Sequence, residues 1–129
     1  MIEQTEMIMT EWEYRLPWNT LDEESIESTI ALEAMKKRNS IKKGIAFRFR
    51  VKFFTGEYVI LNCAGEHSYV IDFEDVIDQN ELLRMIDQSY LQFNELFNFR
   101  KLATIFRNKS LKQLDVSTID VTNLLPMLE

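Results

Sequence analysis

The stretch Ile45-Ala46-Phe47-Arg48-Phe49-Arg50-Val51-Lys52-Phe53 decides the fold. Ile45, Phe47, Phe49, Val51 and Phe53 fall on one face of an extended chain; Ala46, Arg48, Arg50 and Lys52 fall on the other. A period of two held this long is a half-buried strand, apolar toward a core and cationic outward. Gly56 marks a tight reversal, and Glu57 to Ile71 reads as a second long strand. Gly65, isolated within it, suggests a bulge. The first half of this strand is apolar on both faces, Tyr58 and Ile60 against Val59, Leu61 and Cys63. Such a strand needs cover on both sides, one from the chain's own helix and the other from a second subunit.

Upstream, Ile26 to Met35 alternates again and should lie antiparallel to Ile45–Phe53. Ile30 and Leu32 must then share a face with Phe49 and Val51, so paired residue numbers add to an odd sum. Met7 to Leu16 reads as a first strand ended by Pro17, Trp18 to Ser25 as a polar crossover, and Lys36 to Gly44 as a cationic loop. Downstream, Asp78 with Glu81 has capping-box spacing, and Leu83, Ile86, Tyr90, Phe93 and Phe97 recur every three or four residues. Leu82, Phe99, Leu102, Ala103 and Phe106 widen that stripe. A helix from Asp78 to Phe106 would run about 40 Å at ~1.5 Å per residue, longer than the sheet needs. Strands first and helix last give an α+β class: a four-stranded antiparallel sheet packed against one long C-terminal helix, as a single domain over residues 1–129.

A chain of 129 residues with 46% hydrophobic content supports one core and not two. The net charge of −6 disfavours nucleic acid and suits a protein that meets basic or unfolded polypeptides. One cysteine leaves no internal disulfide, Met1 to Glu6 lacks the pattern of a secretory signal, and no apolar run approaches the roughly 20 residues of a membrane span. The expectation is a cytoplasmic protein with no membrane insertion.

Cys63 and His67, with Glu66 beside them, could be drawn as a nucleophile–base pair, but no third residue orients them. One histidine and one cysteine fall short of a zinc site. Asp72, Glu74, Asp75 and Asp78 lack the glycine and terminal glutamate of a calcium loop, and acids before a helix are ordinarily caps. The cations Lys36, Lys37, Arg38, Lys42, Lys43, Arg48, Arg50 and Lys52 are the best case for nucleic acid. Phe47 and Phe49 point away from them, however, and Glu27 and Glu33 can pair with them across the sheet. There is no phosphate loop or serine elbow, so no catalytic residue, cofactor or metal is expected.

Three weak motifs arrive in a telling order. Leu114-Asp115-Val116-Ser117-Thr118-Ile119-Asp120-Val121-Thr122-Asn123-Leu124 resembles the segment after the long helix in SecB-type protein-export chaperones, Leu-x-Leu-x-Pro-(Ile/Val)-Asn-Phe-x-x-Leu. Leu96-Phe97-Asn98-Phe99-Arg100 looks like that family's Leu-Phe-Pro-Tyr-Ala-Arg, one residue shorter. Val59 to Ile71 looks like its last strand, with a glycine-containing interruption before an aromatic. Thr118 stands where the family has proline. The sequence ends at Glu129, where SecB-type proteins continue into a second helix and tail.

The resemblance implies a shortened SecB-like chaperone that holds unfolded polypeptides without ATP, for export with the motor SecA or to protect a client such as an antitoxin. It implies a homo-oligomer, dimer or tetramer. Trp18, Phe97, Phe99 and Phe106 are the candidate polypeptide-binding residues, and Val59, Leu61, Cys63 and Tyr90 the candidate oligomer interface. The rival reading is a specific interaction module, an immunity or antitoxin-like factor binding one folded partner.

Overall fold

The structure, a computed structural model, describes residues 2–17, 23–38, 43–71 and 77–108. The alternating stretch lies within a strand over Lys43–Thr55, β4, which hairpins into Tyr58–Ile71, β5. Thr55 and Tyr58 pair, leaving a two-residue loop whose first member, Gly56, has φ +59°. That is the type II′ requirement, and glycine meets it without strain. On the other side of β4 runs β3, Glu27–Arg38. Ile30 stands opposite Val51 and Leu32 opposite Phe49, the odd-sum register that the alternation demands. The ladder continues to Arg38 opposite Lys43, so the expected loop is shorter than Lys36–Gly44.

The first strand is in two pieces, β1 (Ile2–Gln4) and β2 (Ile8–Tyr14), both antiparallel to β5. Thr5 stitches the gap: its amide donates to the Ser68 carbonyl at 2.8 Å, and its Oγ1 accepts from the Ser68 amide at 3.0 Å. The sheet therefore has four positions, β1/β2–β5–β4–β3, with β3 at one edge. Ending the strand before Pro17 agrees with the sequence reading; β1 was too short to show a period.

The bulge beside Gly65 is on the partner strand: β2 pairs Met9 with Gly65 and Glu11 with Ala64, which leaves Thr10 as its extra residue, and β5 itself is bulged elsewhere. The β4–β5 register steps between Phe53, opposite Leu61, and Phe54, opposite Val59, which leaves Ile60 as the extra residue. The change of parity turns both Ile60 and Leu61 inward, and both are fully buried. Ile60, Leu61 and Cys63 are thus covered by the chain itself, while Tyr58 and Val59 stay exposed. Gly65 serves another purpose: a Cβ there would lie 2.6 Å from Cδ2 of Phe93 on the helix. Its bare backbone lets the helix approach the sheet.

That helix, α1, spans Gln79–Arg100, about 33 Å at ~1.5 Å per residue, and not the longer run to Phe106. Asp78 caps it as expected, Oδ1 accepting from the Glu81 amide at 2.8 Å. After Arg100 a 3-10 turn, Lys101–Ala103, tightens the chain. Thr104 then reverses it, its Oγ1 donating to the Lys101 carbonyl and accepting from the Phe106 amide. Phe106 returns to the core and stacks on Phe53, ring centroids 4.3 Å apart. Ile45, Phe47, Phe49, Val51 and Phe53 meet Leu82, Ile86, Phe93 and Phe97 in a single cluster. Each large side chain buried there contributes about 1.5–3 kcal/mol.

Candidate polypeptide-binding surface

The predicted site residues separate sharply. Phe97 and Phe106 have 0% exposure; Phe97 lies beside Phe53, Trp12 and Phe93. Both are core, which corrects their assignment to a binding surface. Phe99, two residues along the same helix, is 75% exposed. Leu61 and Cys63 are fully buried under α1 and Tyr90 nearly so, against Phe49. They cannot form a subunit interface while the core stays closed. Val59 sits beyond the Ile60 bulge and is 42% exposed. Trp18 and the segment Leu114–Leu124 lie outside the described residues, as do Asp72, Glu74 and Asp75.

Among the described residues, two apolar surfaces stand open besides the exposed Ile8, Tyr58 and Val59. One follows the outward face of α1 past its end: Leu91, Phe99 and Leu102 are all more than half exposed, with Leu16 exposed as well. Of these, Leu91 and Leu16 were missed by the sequence reading. Leu91 sits one place after Tyr90 and so just outside the stripe, a signal that was available. Between the end of β2 and the turn after α1 lies a cleft of about 680 Å³, lined by Tyr14, Leu16, Ala103, Thr104, Ile105, Arg107 and Asn108. The Tyr14 hydroxyl fixes one wall by accepting from the Ile105 amide at 3.0 Å.

The other surface is the inner side of β3. Ser28, Ile30, Leu32 and Ala34 share the face of Phe53, Val51, Phe49 and Phe47, yet each is only half-buried. The contacts of α1 with the sheet fall on β4 and β5, so its cover thins out over β3. Among the described residues no strand pairs the far edge of β3. Twelve residues of strand thus offer backbone donors and acceptors beside an apolar stripe.

The outer sheet face is charged and internally paired. Arg50 donates to Glu11 at 2.6 Å and to Asn62 at 2.9 Å, and Arg48 reaches Glu66 at 3.5 Å. The Arg50 hydrogen bond holds the Glu11 carboxylate below its usual range. These partners come from β2 and β5, whereas Glu27 and Glu33 of β3 had been expected. Glu33 does stand opposite Arg48 in the ladder.

No reactive constellation is accessible among the described residues. Cys63 and His67 sit on a continuous strand, ~13 Å apart at ~3.3 Å per residue. Burial pushes the Cys63 thiol up to about 12, which keeps it an inert thiol. His67 instead meets Ser89, Nδ1 to Oγ 2.7 Å, but both are fully buried where no substrate reaches them. No cluster of metal-ligating side chains occurs among the described residues, and none of their helices is long and apolar enough to cross a membrane.

A sheet of this order with one helix laid across two of its strands is a SecB-like fold. The SecB-like chaperone Rv1957 of Mycobacterium tuberculosis, solved in complex with a ChAD peptide from the Rv1956 HigA1 antitoxin, shares it with a TM-score of 0.59 and 10% identity. The match covers 88% of this chain and 90% of that one. A protein of unknown function from Streptococcus agalactiae matches with a TM-score of 0.41 and 12% identity, over 89% of this chain and 97% of its own. No protein-family model matches the sequence, and no curated protein does.

Proposed function

We propose that this protein is an ATP-independent chaperone that holds an unfolded segment of another polypeptide along the free edge of β3. The observation that carries the reading is that edge, unpaired among the described residues and flanked by half-buried Ile30, Leu32 and Ala34. An extended client adds there as a further strand, its backbone bonding to β3 and alternate side chains resting on the apolar stripe. The SecB-like fold and the negative charge support it, since −6 attracts basic unfolded segments. Rv1957 binds an antitoxin peptide, which makes a dedicated client as reasonable as the clients of SecA-coupled export. The setting is the cytoplasm.

Self-association is part of the proposal, through Leu91 and Phe99 on the helix and Leu102 in the turn after it, with Val59 on the far side of the sheet. Sedimentation equilibrium at micromolar concentration should give a dimer or tetramer; a 15.4 kDa monomer at every concentration contradicts it. The functional test is light scattering from several chemically denatured, unrelated clients. Equimolar protein should suppress aggregation equally with and without ATP. Activity on none of them, together with tight binding of one folded partner, would establish the specific-interaction reading instead.

A further inference from the structure

His67 is the single histidine of the sequence, and it is fully buried between sheet and helix. It stands on the inner face of β5, opposite Phe47 of β4. Its Nδ1 lies 2.7 Å from Ser89 Oγ on α1, and its ring meets the Tyr69 ring edge-on, centroids 4.9 Å apart. Tyr69 donates to the Met85 carbonyl of α1 at 3.0 Å. Two adjacent inward side chains of β5 thus tie the helix to the sheet through polar bonds within an otherwise apolar core.

The His67 end of this seam is incompletely satisfied, because its Nε2 has no hydrogen-bond partner. In either neutral tautomer that nitrogen is a bare donor or a bare acceptor in the core. Uptake of a proton would place a charged donor in the core, with only the Thr5 backbone to offset its lost hydration. Among the described residues, the groups around it offer no compensating anion. Ser89 faces it from α1, Phe47 from β4, the Thr5 backbone from between β1 and β2, and Tyr69 from its own strand, its phenol kept neutral by burial. Glu66 projects to the opposite sheet face beside Arg48, while Glu6 and Asp87 are exposed to solvent.

We propose that the His67–Ser89 pair is an acid-sensitive latch, which holds α1 on the sheet at neutral pH and loosens it when His67 takes up a proton. Burial lowers the imidazole from 6.5, opposed only by the Thr5 backbone. The unfolded or opened chain therefore binds the proton more readily than the closed one. The contribution of the latch is full above 6.5 and is lost as pH falls below it toward the lowered native value. Opening uncovers the stacked rings of Phe49 and Phe93, so acidity becomes a control on apolar surface. The inference stands whether or not the protein holds clients.

One histidine gives one Cε1–H resonance, which reports the latch in the wild-type protein directly. From about pH 8 downward, that native resonance should titrate only below 6.5. Over the same range, amide exchange protection of Met85 to Phe93 should fall relative to β4, by up to about ten-fold per pH unit below 6.5, the limit for one linked proton. His67→Asn keeps a hydrogen-bonding group near the Nδ1 position but cannot titrate there, and should abolish the fall. His67→Phe, which fills the ring's place, should abolish it too. A wild-type resonance that titrates near 6.5 while α1 protection stays level overturns the proposal. So does an undiminished fall in either variant. If neither variant folds, the wild-type titration decides alone.

Discussion

Phe97 and Phe99 are two residues apart on one helix, yet one is sealed between Trp12 and Phe53 and the other is 75% exposed. The same division runs through the whole molecule. The middle of the sheet, β4 with β5, is covered by α1 until almost nothing apolar shows on its inner face. The margin, where β3 runs past the helix and where α1 ends, keeps leucines, isoleucines and a phenylalanine at the surface. A core that closes over two central strands and stops at the third leaves an edge with both backbone bonds and apolar cover to offer. That is the physical content of the chaperone reading.

Substitutions on either side of the line should behave differently. Phe97→Ala, in the sealed centre, should cost about 3–5 kcal/mol and unfold much of the protein, as read by urea midpoint. Gly65→Ala drives a methyl group into the Phe93 ring and should cost about 1–3 kcal/mol, with α1 displaced from β5. Asp78→Ala removes the Glu81 amide's acceptor at the helix start and should cost ~1 kcal/mol. Phe99→Ser should change stability by less than about 0.5 kcal/mol while it weakens self-association. A large loss of stability for Phe99→Ser, or a small one for Phe97→Ala, would dissolve the distinction between centre and margin.

How much of this was legible follows from where each signal was written. The Ile45–Phe53 alternation fixed β4 and its register with β3, because a one-residue slip would have thrown five apolar side chains to the charged face. The Asp78 cap was equally plain. The Ile60 bulge was not, since Val59, Ile60 and Leu61 are all apolar and a parity change among them leaves no mark in composition. The helix end was hidden for a related reason. Neither glycine nor proline marks the stop after Arg100; the reversal rests on Thr104, and Phe106 falls seven residues after Phe99 and four after Leu102, in helical phase with both. Sequence spacing showed which residues are apolar, while the turn decided that Phe106 is core. The separation of Phe97 from Phe99 is a matter of angle around the helix, and only the sheet's position resolved it.

The central claim is that β3 receives the client, and amide exchange with a permanently unfolded chain tests it most directly. Reduced, carboxamidomethylated ribonuclease, a basic polypeptide, serves as the client. On its addition, the amides of Glu27–Arg38 that point away from β4 should gain protection, with those of β4 and β5 unchanged. Client bound with no change along β3, or with protection confined to the end of α1 around Phe99 and Leu102, would contradict the account.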